Sequence, residues 1–291
     1  MLSQTETQTE LPAQSWPAPA KLNLFLRVLG RRPDGYHELQ TLFQILDWGD
    51  ELLITVNDSG EITRSGACDV IPQSGDICIR AAYLLQALCG VTHGAHIDLK
   101  KNIPVGAGLG GGSSDAATVL VALNQLWRCG MSRQQLAEAG LQLGADVPVF
   151  VHGHSAWARG RGERLQPVML GPGHYVLVFP PFGISTAEVF QYAGLKRDSQ
   201  PLEMTKTSMQ PGRNDCAAAA LELYPELGKI MRALQVCGRP YVSGTGSTIF
   251  LPFDSKKSAI NTASKLKCRY NVRVVGGVDR SPLLKKLSVG G

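Results

Sequence analysis

The segment PVGAGLGGGSSDAA, at residues 104–117, limits what this chain can fold into more than any other stretch. Five of its residues within seven positions are glycines, namely Gly106, Gly108, Gly110, Gly111 and Gly112. Glycine allows a positive φ and lets the backbone approach a ligand closely. The following run, AATVLVALNQLW at 116–127, is apolar on nearly every side and predicts a buried helix. N–H groups at the start of that helix form an anion site, so the segment predicts a phosphate-binding loop.

Two better-known phosphate motifs do not fit this loop. Residues 106–111 match GxGxxG, but no acidic residue ends a second strand about 20 positions later, as a dinucleotide-binding fold requires. The chain contains neither GxxxxGKS nor GxxxxGKT, so it lacks a P-loop and the P-loop lysine. Ser113, Ser114 and Asp115 occupy positions typical of helix caps, and a serine hydroxyl can bind phosphate or Mg²⁺. The alternative is a flexible turn that only precedes a buried helix.

The composition excludes several classes of protein. Charged residues make up 18% of the 291 residues, which is too few for a strongly charged disordered chain. The formal net charge of +5 suits anionic small molecules but gives no basic stripe of the kind that a nucleic-acid binder needs. We therefore expect a globular protein with a small-molecule ligand and no nucleic-acid partner.

The seven cysteines predict a reducing compartment. They are scattered singly, without a CxxC pair or a His/Cys group at zinc spacing, so we expect free thiols and a cytoplasmic location. No apolar run approaches the roughly 18 residues of a membrane span, so no membrane association is expected. Residues 1–15 are polar, lack the basic start and apolar core of a signal peptide, and are predicted to form a disordered tail.

Hydrophobic periodicity indicates a mixture of helices and strands. Alternating apolar residues predict strands at 21–28, 95–99, 175–179 and 272–275, with further strand character up to residue 56. Helices are predicted at 77–88, at 116–127, at 215–235 with a break near Pro225, and at 255–266. No steady βαβ rhythm appears, which favours an α+β fold. The turn signals at 171–173 place a domain boundary near residue 166, giving domains 16–165 and 166–291.

One further helix is predicted from its caps. Ser132 and Gln135 form the pattern of a capping box, which marks the start of a helix. Gly144 is the residue expected to close that helix, because glycine adopts the left-handed conformation found at many helix ends.

Two charged residues stand at unusual places in this pattern. Lys21 begins the first strand, where an ordinary surface lysine is the simplest interpretation. Asp146 directly precedes the apolar run VPVF at 147–150, and a carboxylate entering a buried run is costly unless it is paired, so an aspartate that caps a turn is the alternative. Together the two fit a phosphoryl-transfer site, because an attacking alcohol needs a proton acceptor and a nearby ammonium neutralises charge.

Three blocks of sequence together resemble the GHMP kinases, the family of galactokinase, homoserine kinase and mevalonate kinase. They are PAKLNLFLRVLGRRPDGYHEL near the start, PVGAGLGGGSSDAA, and LGADVPVFV at 143–151. The resemblance, which extends from Trp16 to the region of Phe250, implies a two-domain α/β architecture with a ribosomal protein S5 domain 2-like first domain and a ferredoxin-like second domain. It also implies ATP and Mg²⁺ as cofactors, Asp146 as the catalytic base and Lys21 as its partner.

The resemblance also implies which residues surround the phosphates. Those expected to bind ATP are Pro104, Val105, Gly106, Ala107, Gly108, Leu109, Gly110, Gly111, Gly112, Ser113 and Ser114. The metal is assigned to Ser114, with the choice between the two neighbouring serines left open. Ser243, Gly244, Thr245 and Gly246 match the last motif of the family, often SGSG-like, in which Thr245 is a departure that keeps the hydroxyl. Small residues there allow the backbone to approach a phosphate or the glycine-rich loop, and a plain hairpin turn is the alternative.

The first and third blocks narrow the resemblance to GHMP kinases that act on 4-diphosphocytidyl-2-C-methyl-D-erythritol. In those kinases the stretch that matches Tyr36 and His37 binds cytidine, and a tyrosine ring can stack on a pyrimidine while an imidazole or a backbone group bonds its edge. Phe190 is the implied second stacking ring and Thr186 a nearby polar contact. Asn23, on the same strand face as Lys21, looks like a substrate contact. The alternative is that Tyr36 and Phe190 only cover the core and that His37 lies at the surface.

The expected reaction is transfer of the γ-phosphate of ATP to the 2-hydroxyl of this substrate, in non-mevalonate isopentenyl diphosphate biosynthesis. Two other functions stay open: another GHMP kinase that acts on homoserine, mevalonate or a sugar, and a non-catalytic nucleotide-binding sensor of the same fold. The sequence is compatible with a monomer or a homodimer.

Two minor features complete the pattern. Arg213-Asn214-Asp215 is similar to a family pattern and is expected at a helix start. The basic pairs Lys100-Lys101, Lys256-Lys257 and Lys285-Lys286 are interpreted mainly as solvated surface, although the first pair can also attract ATP.

Overall fold

Two long strands begin the described part of the molecule. The structure, a computed structural model, describes residues 13–66 and 75–289, and it starts with β1 (Gln14–Arg31) and β2 (His37–Asn57), which pair with each other. The strand predicted at 21–28 lies within β1 and is confirmed. Residues 1–12 of the predicted tail lie outside the described residues, and residues 14 and 15 already belong to β1.

The remaining elements mix strands and helices along the chain. The strands are β3 (Ile62–Gly66), β4 (Gly94–Lys100), β5 (Ala156–Gly160), β6 (Arg164–Pro167), β7 (Gly173–Phe179), β8 (Tyr241–Val242), β9 (Ile249–Phe253) and β10 (Asn271–Val278). The helices are α1 (Ile77–Cys89), α2 (Gly111–Leu126), α3 (Arg133–Leu141), α4 (Val147–His152), α5 (Thr186–Gln191), α6 (Asp215–Leu223), α7 (Pro225–Leu234), α8 (Lys256–Leu266) and α9 (Pro282–Val289). This mixture confirms the α+β class.

The ends of the helices follow from local chemistry. Ser132 caps α3 with both hydrogen bonds of a capping box in place, so that prediction is confirmed. The stop at Gly144 is wrong: α3 ends at Leu141, and Gln142 stays right-handed while its N–H bonds the carbonyls of Ala139 and Gly140. Gly144 instead begins a turn in which the N–H of Val147 donates to its carbonyl at 3.1 Å.

The predicted break near Pro225 is confirmed. Tyr224 ends α6 and precedes α7, and Pro225 takes the first position of the second helix. Proline is tolerated there because it lacks the N–H that would be unpaired in any case.

The chain divides into two compact units, each made of several segments. The first unit contains the residues up to Ala18, Asp50–Asn102 and Gly112–His152; the second contains Pro19–Gly49, Ile103–Gly111 and Gly153–Gly291. Compactness therefore divides the chain differently from a single cut near residue 166, which lies within β6. The domains 16–165 and 166–291 stay a prediction.

In the first unit, helices accompany a short sheet. The later half of β2 pairs antiparallel with β4, and β3 pairs parallel with β4. Helix α2 is buried continuously from Ser114 to Leu123, as the all-round apolar pattern predicts. Asp76 caps α1 by accepting from the N–H groups of Cys78 and Ile79.

In the second unit, an antiparallel sheet has both faces covered. β10 pairs with β2 and β7, β7 with β9, β9 with β8, and β5 with β2 and β6. Successive residues of β7 enter opposite clusters, because side chains alternate along a strand. Val176 and Val178 pack with residues of α6, α7 and α8, whereas Tyr175 and Leu177 pack with Phe25 and Trp157.

None of the helices in the described residues is long and apolar enough to cross a membrane.

Candidate functional site

The glycine-rich loop leads into α2 earlier than the apolar pattern suggests. The helix begins at Gly111 rather than at Ala116, so Ser113, Ser114 and Asp115 belong to its first turns instead of capping it. The first N–H groups of a helix have no partner within it, which here means those around Gly111 and Gly112. These groups and the positive end of the helix dipole suit a phosphate.

Gly108 makes the closest backbone approach in the loop. A Cβ on this residue would lie 2.3 Å from the carbonyl oxygen of Ser243, and its φ of +73° is in the region that favours glycine. Two hydrogen bonds join the loop to the SGTGS turn at 243–247 and to the residue after it. Oγ of Ser243 donates to the carbonyl of Gly108, and the N–H of Thr248 donates to the carbonyl of Ala107. The small residues of the SGTGS turn therefore allow contact with the glycine-rich loop, as the pattern predicts.

Lys21 is not a surface lysine. Its side chain is almost fully buried, with 3% of the residue exposed. Its ammonium donates to Oδ1 of Asn23 at 2.5 Å and to the carbonyl of Gly108 at 3.3 Å, and it lies 5.4 Å from the ring centroid of Phe43. A buried charge is retained only where it is hydrogen-bonded or has a role, so this placement favours function over the surface alternative.

Asn23 lies on the same face of β1 and connects Lys21 to its surroundings. Its Nδ2 donates to Oγ1 of Thr41 at 2.8 Å, and its backbone N–H donates to Oγ of Ser243 at 3.2 Å. Asn23 therefore holds the ammonium from one side while the SGTGS turn holds Asn23 from another. Its predicted contact with substrate stays a prediction.

Asn214 fixes the SGTGS turn. Its Oδ1 accepts from the N–H groups of Cys216 and Ala217, which caps α6, and its Nδ2 donates to the carbonyls of Val242 and Gly244 at 2.9 and 2.7 Å. The expectation of a helix start at 213–215 is confirmed. One amide thus uses all of its hydrogen-bonding capacity to place the turn beside the loop.

Asp146 lies in the turn that precedes α4, beside the start of α2. The residue is half-buried, and the apolar run that follows it is fully buried. Oγ of Ser113 lies 3.5 Å from the position that a Cβ on Gly144 would take, so the turn at 144–147 touches the first turn of α2. Within the first unit, the carboxylate predicted as a base is therefore carried by a turn that contacts the predicted phosphate helix.

The interpretation of Lys100-Lys101 as solvated surface is wrong for Lys101. Its ammonium is bonded to the buried carboxylates of Asp50 and Asp115, the second at 2.8 Å. Burial raises the pKa of Asp115 to about 7; Lys101 opposes this rise and Asp50 adds to it. One cation thus serves two buried carboxylates of the first unit, so Lys101 has a structural role there. Lys100 and the pairs at 256–257 and 285–286 are exposed, as predicted.

Tyr36 is more than half exposed, which excludes the interpretation that it covers the core. The turn that carries it is fixed by the N–H of Tyr36 donating to Oδ1 of Asp34 and by the N–H of Arg32 donating to the carbonyl of Tyr36. The guanidinium of Arg161, in the β5–β6 turn, lies 4.5 Å from the centroid of the Tyr36 ring. One cation therefore holds this ring in place.

His37 and Phe190 form a ring pair. Their centroids are 5.1 Å apart at an interplanar angle of 26°. Nε of Arg197 donates to Nε2 of His37 at 3.0 Å. Burial lowers the pKa of His37, and the charges of Arg197 and Arg31 lower it further, so this imidazole is neutral near pH 7. We call Tyr36, His37 and Phe190 the aromatic cluster.

Thr186 contacts the SGTGS turn and lies on the same helix as Phe190. Its hydroxyl and that of Thr245 form a hydrogen bond of 3.0 Å, and it is the first residue of α5, the helix that also carries Phe190. The structure therefore connects the predicted substrate contact Thr186 to the predicted phosphate turn.

Comparison with known proteins decides the family. Residues 76–154 match the model described as the GHMP kinases N terminal domain, and residues 202–272 match the GHMP kinases C terminal model. The chain belongs to the GHMP kinase family. The 4-diphosphocytidyl-2-C-methyl-D-erythritol kinase of Alkalilimnicola ehrlichii is 48% identical over 275 residues, which is 94% of this chain and 94% of that protein. The enzyme of the same name from Shewanella baltica is 45% identical over 95% of this chain and 98% of that protein.

A solved structure agrees with these relatives. The crystal structure of a 4-(cytidine 5'-diphospho)-2C-methyl-D-erythritol kinase aligns with this GHMP kinase at a TM-score of 0.80 and 34% identity, covering 91% of this chain and 100% of the other. The resemblance drawn from the three sequence blocks is therefore confirmed.

Sequence reasoning missed the contacts that four residues of this GHMP kinase make at or near the site. The four are Asn214, as the anchor of the SGTGS turn, Lys101, Arg161 and Arg197. Arg197 and His37 are 160 positions apart, and no local pattern connects them. Asn214 left a signal because it stands in a recognisable helix start, and Lys101 stands in a basic pair that does not reveal its burial.

Proposed function

We propose that this GHMP kinase transfers the γ-phosphate of ATP to the 2-hydroxyl of 4-diphosphocytidyl-2-C-methyl-D-erythritol, giving the 2-phosphate and ADP in isoprenoid biosynthesis. The observation that carries this proposal is the identity of 48% over 94% of the chain with a relative of that name. The aromatic cluster supports it independently, because a pyrimidine needs flat apolar faces and an edge partner.

The start of α2 receives the phosphates of ATP. Unpaired N–H groups at a helix N-terminus bind anions, and the glycines before it let a phosphate come close to the backbone. The nearby turn at 243–246 fixes the loop from behind through Gly108. Pro104 to Ser114 are therefore retained as the proposed ATP-binding residues.

Asp146 accepts the proton of the attacking hydroxyl, and Lys21 stabilises the negative charge of the transferring phosphoryl group. Phosphoryl transfer depends mainly on positioning and on charge stabilisation, and these two groups supply both. The contact of Asn23 and Gly108 with the Lys21 ammonium supports this, since a held cation needs no reorganisation during reaction.

The oxygen donors around α2 fit Mg²⁺, which prefers carboxylate and phosphate oxygens and keeps several waters. When bound, the ion neutralises phosphate charge. In residues 13–66 and 75–289, no group of three or more His, Cys, Asp or Glu side chains is placed so that it could hold a metal ion. Ser114 remains the proposed ligand; it is fully buried, whereas Ser113 is partly exposed, and single alanine variants of the two tell them apart.

The aromatic cluster binds the cytidine moiety. Tyr36 offers an exposed ring face, and Phe190 and His37 form a second flat surface. Thr186 and Asn23 contact the remainder of the substrate. The six cysteines in the described residues carry free thiols, which supports a cytoplasmic location for the reaction.

The decisive experiment measures ADP release by the purified protein with ATP and Mg²⁺ across several alcohols. We expect turnover with 4-diphosphocytidyl-2-C-methyl-D-erythritol and little with homoserine, mevalonate or galactose. Preference for one of the other alcohols would show a different GHMP kinase. Nucleotide binding without any turnover would show a non-catalytic sensor.

A further inference from the structure

The imidazole of His37 has a defined protonation pattern. A guanidinium can only donate hydrogen bonds, so the Nε2 atom that receives Nε–H of Arg197 must be unprotonated. In a neutral ring the proton then sits on Nδ1. Within the part of the chain that the structure describes, no protein group forms a hydrogen bond with that Nδ1. Its N–H is therefore available to a ligand.

Arg197 is itself held rigidly. Its Nη2 donates to the carbonyls of Phe190 and Tyr192 at 2.8 and 2.9 Å, and its Nη1 donates to that of Leu195 at 3.0 Å. Four of the five donors of the guanidinium are thus used, and three bonds hold the backbone at and beyond the end of α5. The same side chain therefore orients the imidazole and holds the backbone of the phenylalanine stacked on it.

The charges around His37 keep the ring neutral. The charged groups that act on it are Arg197, from the segment after α5, and Arg31, from the end of β1, and both are cationic. A positive charge on the imidazole is unfavourable beside these two cations, and burial of the ring disfavours it as well.

We propose that Arg197 is a positioning residue that presents His37 to the pyrimidine as an Nδ1–H donor and holds Phe190 against it. The proposal deepens the proposed function and rests on it, because it takes cytosine as the base. Two of the three polar groups on the edge of cytosine, O2 and N3, are acceptors and match an Nδ1–H donor. Only the exocyclic amine would match the lone pair that the other tautomer presents.

Binding of cytidine between pH 5.5 and 8 tests the proposal by calorimetry, since cytidine has no phosphate that titrates in this range. We expect flat affinity for the wild-type protein. Arg197→Met should bind about two- to tenfold more weakly at pH 8, because the neutral ring is no longer held in one tautomer. As the pH falls through the ordinary histidine range near 6.5, both ring nitrogens of the variant carry protons, and its affinity should rise towards that of the wild type. Any loss that remains at low pH comes from the released backbone at Phe190. The exposed neighbour supplies the control, Lys196→Met, which should behave as wild type.

A purely structural role for Arg197 predicts a different result. It would lower cytidine affinity by the same factor at every pH, and that outcome overturns the proposal, as does unchanged affinity in Arg197→Met. A second pair of variants is informative even if Arg197→Met fails to fold. An asparagine amide at position 37 places its N–H near the position of Nδ1, and a glutamine amide places it near Nε2. His37→Asn should therefore retain more affinity than His37→Gln, and an equal or reversed order counts against the proposal.

Turnover of the diphosphocytidyl substrate by the wild-type protein separates the two levels of inference. Normal turnover with cytidine binding that ignores Arg197 overturns only the role of this arginine. A wild-type protein that binds neither cytidine nor CDP overturns the proposed function and this proposal together.

Discussion

The glycine-rich loop and the aromatic cluster are built in opposite ways. The loop is made of backbone against backbone, with Gly108 on the carbonyl of Ser243 and Ala107 bonded to Thr248. The aromatic cluster depends on contacts between side chains of distant segments. Phe190 stacks on His37, and Arg161 and Arg197 contact Tyr36 and His37.

This difference explains why only one of the two regions can be recognised in the sequence. A backbone approach of this kind tolerates no Cβ, so it demands small residues at particular positions and leaves a motif. Side chains that meet through the tertiary fold need no fixed spacing and leave none. Substitutions in the loop should therefore weaken binding of the phosphates of ATP, whereas substitutions in the aromatic cluster should weaken binding of cytosine.

The largest expected effect belongs to a residue outside both regions. Asp146→Asn removes the proposed proton acceptor and should lower kcat by about 10²- to 10⁴-fold, while binding of ATP and of CMP is largely preserved. Steady-state kinetics and nucleotide titration measure the two parts separately. The exposed Asp58→Asn is the matched control. Near-normal turnover in Asp146→Asn would remove this residue from the base role.

In the first unit, Lys101→Met should lower the free energy of unfolding by about 3–5 kcal/mol, because it leaves Asp50 and Asp115 without their shared cation. The neighbouring Lys100→Met, at an exposed position, should stay within about 0.5 kcal/mol of wild type. Denaturant unfolding of the two variants measures the difference. Equal stabilities would show that the ion pairs of Lys101 add nothing to the stability of the fold.

In the aromatic cluster, Tyr36→Ala should weaken CMP binding by about 1–3 kcal/mol, the usual worth of a stacked base, with ADP binding unchanged. Tyr83→Ala, which removes a similarly exposed tyrosine from α1, serves as the control. Calorimetric titration with CMP and with ADP gives the comparison. Unchanged CMP affinity would refute the stacking role of Tyr36.

In the loop, Gly108→Ala should weaken ATP binding and also lower stability, by about 1–3 kcal/mol from the backbone conformation together with the clash at Ser243. Gly130→Ala isolates the first cause, because Gly130 has a similar φ of +70° and nothing lies within 4 Å of its added Cβ. Thermal melts measure the change in stability, and KM for ATP measures the change in nucleotide binding. Should the two variants behave alike, the backbone contact with the SGTGS turn has no role in ATP binding.

The outline of this molecule was readable before its structure. Alternation placed strands at β1, β4, β7 and β10, and helical periodicity placed α1 and α8 almost to the residue. The start of α2 was missed by five residues, because glycine has a poor helix propensity and Gly111 and Gly112 look like loop. Gly144 was misassigned as a helix stop, since a glycine near a helix end can equally begin the next turn.

Burial was harder to predict than secondary structure. Lys21 and Lys101 both look like surface residues in a one-dimensional pattern, yet each ammonium group is buried and bonds at least one acceptor from a remote position, Gly108 for Lys21 and Asp50 for Lys101. Charge alone does not reveal whether a lysine finds such partners, because they are brought together by strands and turns far apart in the chain.

The local features of the site can be found in the sequence: a glycine-rich turn before a buried helix, a lysine and an aspartate at element ends, and rings near a turn. These are local features, and local sterics and periodicity suffice to specify them. The residues that hold these features in place are set by the three-dimensional fold: Asn214 bonds the SGTGS turn, and Arg197 bonds His37. The physical reason is that hydrogen bonds and ring contacts depend on distance in space, and folding brings together residues whose separation along the chain carries no signal.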